Sequence, residues 1–107
     1  MSKPLTVDWK ARAKSLTFRN QAFIDGKYVA ALSGKTFPDI NPANGEVLTE
    51  IAACDKEDVD VAVASARRAF ESGVWSRMAP PERKKVLLKL SELMLANAVE
   101  LALLETL

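Results

Sequence analysis

The feature that most constrains this chain is its final stretch, Val99-Glu-Leu-Ala-Leu-Leu-Glu-Thr-Leu107, a helical pattern with no stop signal. Helices usually close with Gly or Asn past the last turn, or with Pro soon after. Nothing of that kind follows Leu101, Leu104 or Leu107. An apolar stripe without a terminator predicts that these residues are the front piece of a longer polypeptide. Part of the chemistry is then expected outside them.

At 107 residues the chain has length for one small domain and not for two. Fifteen Lys plus Arg stand against fourteen Asp plus Glu, a net charge of +1. That balance argues against nucleic acid or an anionic membrane as partner, since both call for concentrated positive charge. The basic run Arg83-Lys84-Lys85 sits beside Glu82 and reads as a solvated helix face. The single cysteine, Cys54, precludes an internal disulfide and fits a reducing compartment. Ser2, Lys3, Pro4 and Asp8 come before any hydrophobic run, so no secretory signal is visible. No apolar stretch approaches the ~20 residues that span a bilayer. The expectation is a soluble, cytoplasmic protein.

Leu5, Trp9, Ala13 and Leu16 fall at helical spacing, with Thr6 as the N-cap. Phe23-Ile-Asp-Gly-Lys-Tyr-Val29 follows. Its Asp-Gly pair between β-prone residues predicts a hairpin with a type I′ turn. Ser33-Gly34 predicts a turn, and Lys35 to Ile40 an extended segment that Pro38 confines to a sheet edge or bulge. After the turn formers of Asn41-Pro-Ala-Asn-Gly45, Glu46 to Ala52 reads as a strand. The second half is helical. Asp55 with Asp58 reads as a capping box, Val59, Val63, Ala66 and Phe70 share one face, and Gly73 closes the helix. Pro80-Pro81-Glu82 opens a helix striped by Leu87, Leu90 and Met94. Asn97 with Glu100 reads as a further capping box that starts the last helix. The expected organisation is a helical leader over 1–20, an antiparallel β unit over 21–53, and helices over 54–107.

Side chains that carry chemistry are scarce. The chain has no histidine, so His-based acid–base catalysis and His metal clusters are excluded. Its four glycines, at 26, 34, 45 and 73, form neither a G-x-G-x-x-G nor a P-loop spacing. Cys54 precedes a helix N-terminus, where a thiolate is favoured. With no His as base, it reads better as a small residue at a strand–helix junction. Asp55, Glu57, Asp58 and Asp60 complement a helix dipole rather than hold a cation. Trp9 and Trp75 lack the basic, aromatic-rich surroundings of a base-stacking surface and read as packing anchors.

Taken in order, several stretches resemble the start of the aldehyde dehydrogenase superfamily. They are Phe23-Ile-Asp-Gly-Lys-Tyr28, Thr36-Phe-Pro-Asp-Ile-Asn-Pro-Ala-Asn-Gly-Glu-Val47 and Asp58-Val-Asp-Val-Ala-Val-Ala-Ser-Ala-Arg-Arg-Ala-Phe70. Gly73-Val-Trp-Ser76, Pro81-Glu-Arg83 and Leu101-Ala-Leu-Leu-Glu-Thr-Leu107 complete the set. The leader with Trp9 and Leu16 is most like the subgroup acting on γ-glutamyl-γ-aminobutyraldehyde and related ω-amino aldehydes. The resemblance implies an α+β fragment, the N-terminal part of an α/β, Rossmann-like cofactor-binding domain. It implies NAD or NADP as cofactor, an aldehyde as substrate, and a homo-oligomer, dimer or tetramer. In the reaction it implies, a thiolate attacks the carbonyl, hydride leaves for the nicotinamide, and an activated water releases the acid. The family's nucleophile, general base, oxyanion-hole asparagine and nucleotide loop all fall beyond residue 107, and Cys54 does not match the nucleophile's motif. In some members backbone carbonyls at the positions of Asp39 and Ile40 help hold a monovalent cation. Two functions follow as expectations. One is the inactive front piece of an aldehyde dehydrogenase; the alternative is a non-catalytic interaction module that docks on full-length subunits.

Overall fold

The computed structural model describes residues 6–107. Its elements run α1 (Trp9–Ser15), β1 (Ala22–Ile24), β2 (Lys27–Val29), β3 (Thr36–Ile40), β4 (Val47–Ala52), α2 (Lys56–Ser72), α3 (Pro80–Ala96) and α4 (Ala98–Thr106).

The leader helix starts later than the sequence predicts. Its N-cap is Asp8, whose Oδ1 accepts from the Ala11 N–H at 3.0 Å, and not Thr6. A carboxylate in this place also meets the positive end of the helix dipole, which a hydroxyl does not. Leu5, the first residue of the expected stripe, lies outside the described residues.

The β residues make two separate antiparallel pairs. In the first, Phe23 lies opposite Tyr28, and Asp25 and Gly26 take φ of 54° and 76°, as the Asp-Gly turn requires. The Phe23 and Tyr28 rings meet edge to face at 5.1 Å, and the Arg19 guanidinium sits 5.0 Å over the Tyr28 ring. In the second, β3 pairs only with β4, so Pro38 lies on an edge strand. The pairs are linked by the Ala52 N–H, which donates to the Asn20 carbonyl at 2.9 Å, and by Asn20 Nδ2 to Thr49 Oγ1 at 3.3 Å.

The helix ends follow from local chemistry. Asp55 and Asp58 form the expected capping box at the start of α2. Gly73 closes α2 in the left-handed conformation, φ 75°. Carbonyls of its last turn also accept from side chains beyond it. Arg77 Nη2 donates to Ser72 O at 2.8 Å, and Ser76 Oγ donates to Phe70 O at 2.9 Å. Pro80 occupies the first turn of α3. Asn97 departs from its expected role. Its Nδ2 donates backward to Leu93 O at 2.8 Å, so it closes α3 and makes no side-chain cap for α4. Its φ of −112° and ψ of 21° keep the amide beside the carbonyls of the helix just ended.

The chain is a slab of 46 × 44 × 17 Å with a radius of gyration of 18.2 Å. A compact chain of this length has a radius near 13 Å. Among the described residues the buried apolar ones are Ala31 and Leu103. Val59, Val63 and Phe70 of α2 and Leu87, Leu90 and Met94 of α3 stand exposed, so the predicted stripes are present but uncovered. Trp9 and Trp75, read as packing anchors, are 47% and 42% exposed.

Candidate functional site

The one buried ionisable side chain of the described residues is Asp58, 4% exposed at the start of α2. Its Oδ1 accepts from the Leu32 N–H at 2.9 Å and its Oδ2 from the Asp55 N–H at 3.0 Å. The first bond crosses 26 positions of chain and fastens α2 to the turn that holds Ala31 and Gly34. These two donors, Leu32 first, hold the carboxyl below its ordinary value. Asp55 moves the other way. A hydrogen bond shared with Glu57, and after it partial burial, push its carboxyl up. The sequence marks Asp58 as a cap alone. Its reach to Leu32 depends on where the β turn settles, which no local spacing records.

Cys54 lies in the junction between β4 and the Asp55 cap and is exposed. Among the described residues no three of His, Cys, Asp and Glu come together as a metal site. Lys56 and Asp60 pair at 2.7 Å on the solvent side of α2, and Lys85 pairs with Glu82 at 2.9 Å on α3. Both pairs are exposed and matter little to stability.

Asp39 and Ile40, the residues expected near a cation, end β3, Asp39 half-buried and Ile40 exposed. The ladder slips between them: Asp39 faces Thr49 and Ile40 faces Val47, leaving Leu48 as an extra residue. The next residue, Asn41, is buried and closes its own turn, its Oδ1 accepting from Ala43 N–H at 2.9 Å and its carbonyl from Gly45 N–H at 2.8 Å.

A concavity of about 500 Å³ opens between α1, residues 16–19 and α4, with Arg12, Phe18, Arg19, Glu100 and Leu103 in its walls. It holds no nucleophile–base pair. The four glycines occupy four separate turns and build no phosphate cradle, so these residues do not fit a nicotinamide cofactor. No helix among the described residues is long and apolar enough to cross a membrane.

An α+β segment whose apolar helix faces lie open defines a class: part of a larger layered protein. Comparison with known proteins says which. A family model described as "Aldehyde dehydrogenase family" matches residues 28–107. The chain is 51% identical over 100 residues to an aminoacetaldehyde dehydrogenase of Pseudomonas aeruginosa, covering 94% of this chain and 20% of that one. It superposes with a TM-score of 0.91 on an indole-3-acetaldehyde dehydrogenase of P. syringae solved with NAD+, at 51% identity over 94% of this chain and 20% of that one. The same TM-score, at 48% identity and the same shares, holds for a γ-glutamyl-γ-aminobutyraldehyde dehydrogenase of Burkholderia cenocepacia. The chain belongs to the aldehyde dehydrogenase family and corresponds to its N-terminal portion. It spans about one fifth of the length of the relatives it matches.

Proposed function

We propose that this chain serves as the N-terminal part of an NAD(P)-dependent aldehyde dehydrogenase that oxidises an ω-amino aldehyde to the carboxylate. The observation that carries the reading is the match over 94% of the chain to an aminoacetaldehyde dehydrogenase, together with the superposition on a γ-glutamyl-γ-aminobutyraldehyde dehydrogenase. The chain's own contribution is scaffold: the 1–20 leader, the 21–53 β unit, and the 54–107 helices that offer their stripes to the cofactor domain. Residues 1–107 alone are inactive on this reading, because nucleophile, base and phosphate loop are not among them. The test is NAD(P)H formation from aminoacetaldehyde and from propanal. We expect the protein with its full catalytic apparatus to prefer the amino aldehyde, and purified 1–107 to produce nothing. Turnover by 1–107 that Cys54→Ala abolishes would overturn the proposal.

The proposal includes a homo-oligomeric, cytoplasmic enzyme and a monovalent cation at the Asp39 and Ile40 carbonyls. The slipped register at those residues supports the cation, since irregular backbone leaves carbonyl oxygens for other partners. A Tm higher in K+ than in tetramethylammonium at equal ionic strength is the expected result. The second reading, a module docking on full-length subunits, is favoured by the exposed stripes of α2 and α3. It requires cooperative melting of 1–107 by itself.

A further inference from the structure

The turn between β3 and β4 holds the one Asn-Gly pair of the chain, Asn44-Gly45. Asparagine is a thermolabile residue, and the nitrogen that follows it decides how long it lasts. The side-chain amide and that backbone N–H belong to adjacent residues, so their reaction is intramolecular and closes a five-membered ring. The other asparagines are ill placed for it. Asn41 precedes Pro42, whose nitrogen has no hydrogen to lose. Asn20 and Asn97 precede Gln21 and Ala98, whose Cβ atoms crowd the approach, and their amides are held by Thr49 Oγ1 and the Leu93 carbonyl.

We propose that Asn44 is a site of spontaneous deamidation, converted through a succinimide to aspartate and isoaspartate. The Gly45 nitrogen, giving its proton to solvent, attacks Asn44 Cγ; the new C–N bond displaces Nδ2, which takes up a proton and leaves as ammonia. Water then opens the imide. Addition at Cγ breaks the new bond and gives aspartate. Addition at the main-chain carbonyl breaks the original peptide bond and gives isoaspartate, whose backbone runs through Cβ. The sum is hydrolysis of one amide, so no co-reactant beyond water enters.

The turn favours this chemistry at three points. Gly45 has φ of 75° and nothing within 4 Å of where a Cβ would stand, so the attacking nitrogen is unhindered. The Glu46 N–H donates to Asn44 Oδ1 at 2.9 Å, the oxygen on which negative charge develops as the ring closes. Asn44 Nδ2 donates to Glu46 Oε2 at 3.3 Å, which places a carboxylate beside the nitrogen that gathers a proton to leave. One contact opposes it: the Gly45 N–H donates to the Asn41 carbonyl at 2.8 Å and must let go first. A single turn hydrogen bond opens by local fluctuation, so it slows the reaction without forbidding it. Either product puts a carboxylate where Nδ2 donated to Glu46. Isoaspartate also adds a backbone atom to a turn closed by the Asn41 N–H on the Glu46 carbonyl at 2.8 Å. The β3–β4 register beside the slip at Asp39 and Ile40 depends on that turn, so the modification loosens the ladder as the protein ages. It asks nothing of the activity proposed above.

The experiment ages the purified full polypeptide in neutral buffer and digests it at mildly acidic pH with trypsin, which cuts after Lys35 and Lys56 and releases residues 36–56. We expect that peptide to gain the mass difference between –OH and –NH2, with fragment ions placing the gain at position 44 and an isoaspartyl methyltransferase labelling it. Hydroxylamine, which cleaves succinimides, should cut the native chain between Asn44 and Gly45. Asn44→Ser, whose hydroxyl still accepts from the Glu46 N–H, should show neither the gain nor the cut. A gain at Asn41 in place of Asn44 would overturn the proposal. So would an unchanged peptide from the folded protein over a time in which synthetic 36–56 converts fully, because the turn, or polypeptide lying on it, then holds the amide fast.

Discussion

Asp58 is the residue on which the two halves of the chain meet, and its effect has a definite sign. The Leu32 and Asp55 N–H groups favour its charged form, so its folded-state pKa lies below the ordinary 3.8. The stability it contributes is complete above that ordinary value and is lost as pH falls through the folded pKa. Asp58→Asn should lower the Tm at neutral pH, and Tm measured from pH 6 down to pH 3 should fall less steeply than in the unmutated protein. Asp55, with its carboxyl pushed up by the bond to Glu57, has the opposite sign: its contribution is present at low pH and lost as pH rises. Asp55→Asn keeps a good N-cap and should leave the neutral Tm unchanged or raise it. The capping role of Asp58 is legible in the spacing of Asp55 and Asp58, because both partners lie within one helical turn. Its bond to Leu32 is not, because the two ends are joined only by the fold.

At the scale of the element, α2 was the most legible, since cap, stripe and closing glycine all agree over seventeen residues. Its C-terminus is also the most sensitive to substitution. A Cβ on Gly73 would meet the Arg77 guanidinium, and φ of 75° disfavours any L side chain. Gly73→Ala should destabilise by about 1–2 kcal/mol, seen as a lower Tm, while Ser72→Ala, which keeps the backbone carbonyl that Arg77 uses, should cost less. Asn97 shows the limit of pattern. Asn and Glu three apart satisfy the capping-box template, yet Asn also donates, and its side-chain amide joins its own backbone N–H on the carbonyl of Leu93. The break between α3 and α4 was placed correctly for the wrong hydrogen bond. The link between the two ladders depends on the long-range tie from Ala52 to Asn20, which no turn signal encodes.

The described residues have little interior: Ala31, Leu103, Asn41 and Asp58 are the buried ones. The chain's surface of 8930 Å² exceeds the roughly 5,900 Å² of a compact monomer of this mass. Purified 1–107 should therefore bind a hydrophobic dye and melt without a sharp transition, and a cooperative melt would favour the docking module instead. This openness was foreshadowed by stripes such as Leu87, Leu90 and Met94, whose period says that a face is apolar but not what lies against it. On the proposed reading the parts of the reaction centre are not among these residues, so what could be read from them was kinship. The slab's thickness of 17 Å, little more than one helix with its side chains, bears on biosynthesis as well. In a polypeptide of the relatives' length, about 400 further residues follow this segment, and at ~5–20 residues per second the ribosome takes on the order of 20–80 s to deliver them. Until those residues arrive, the exposed stripes of α2 and α3 have nothing of the later chain to lie against.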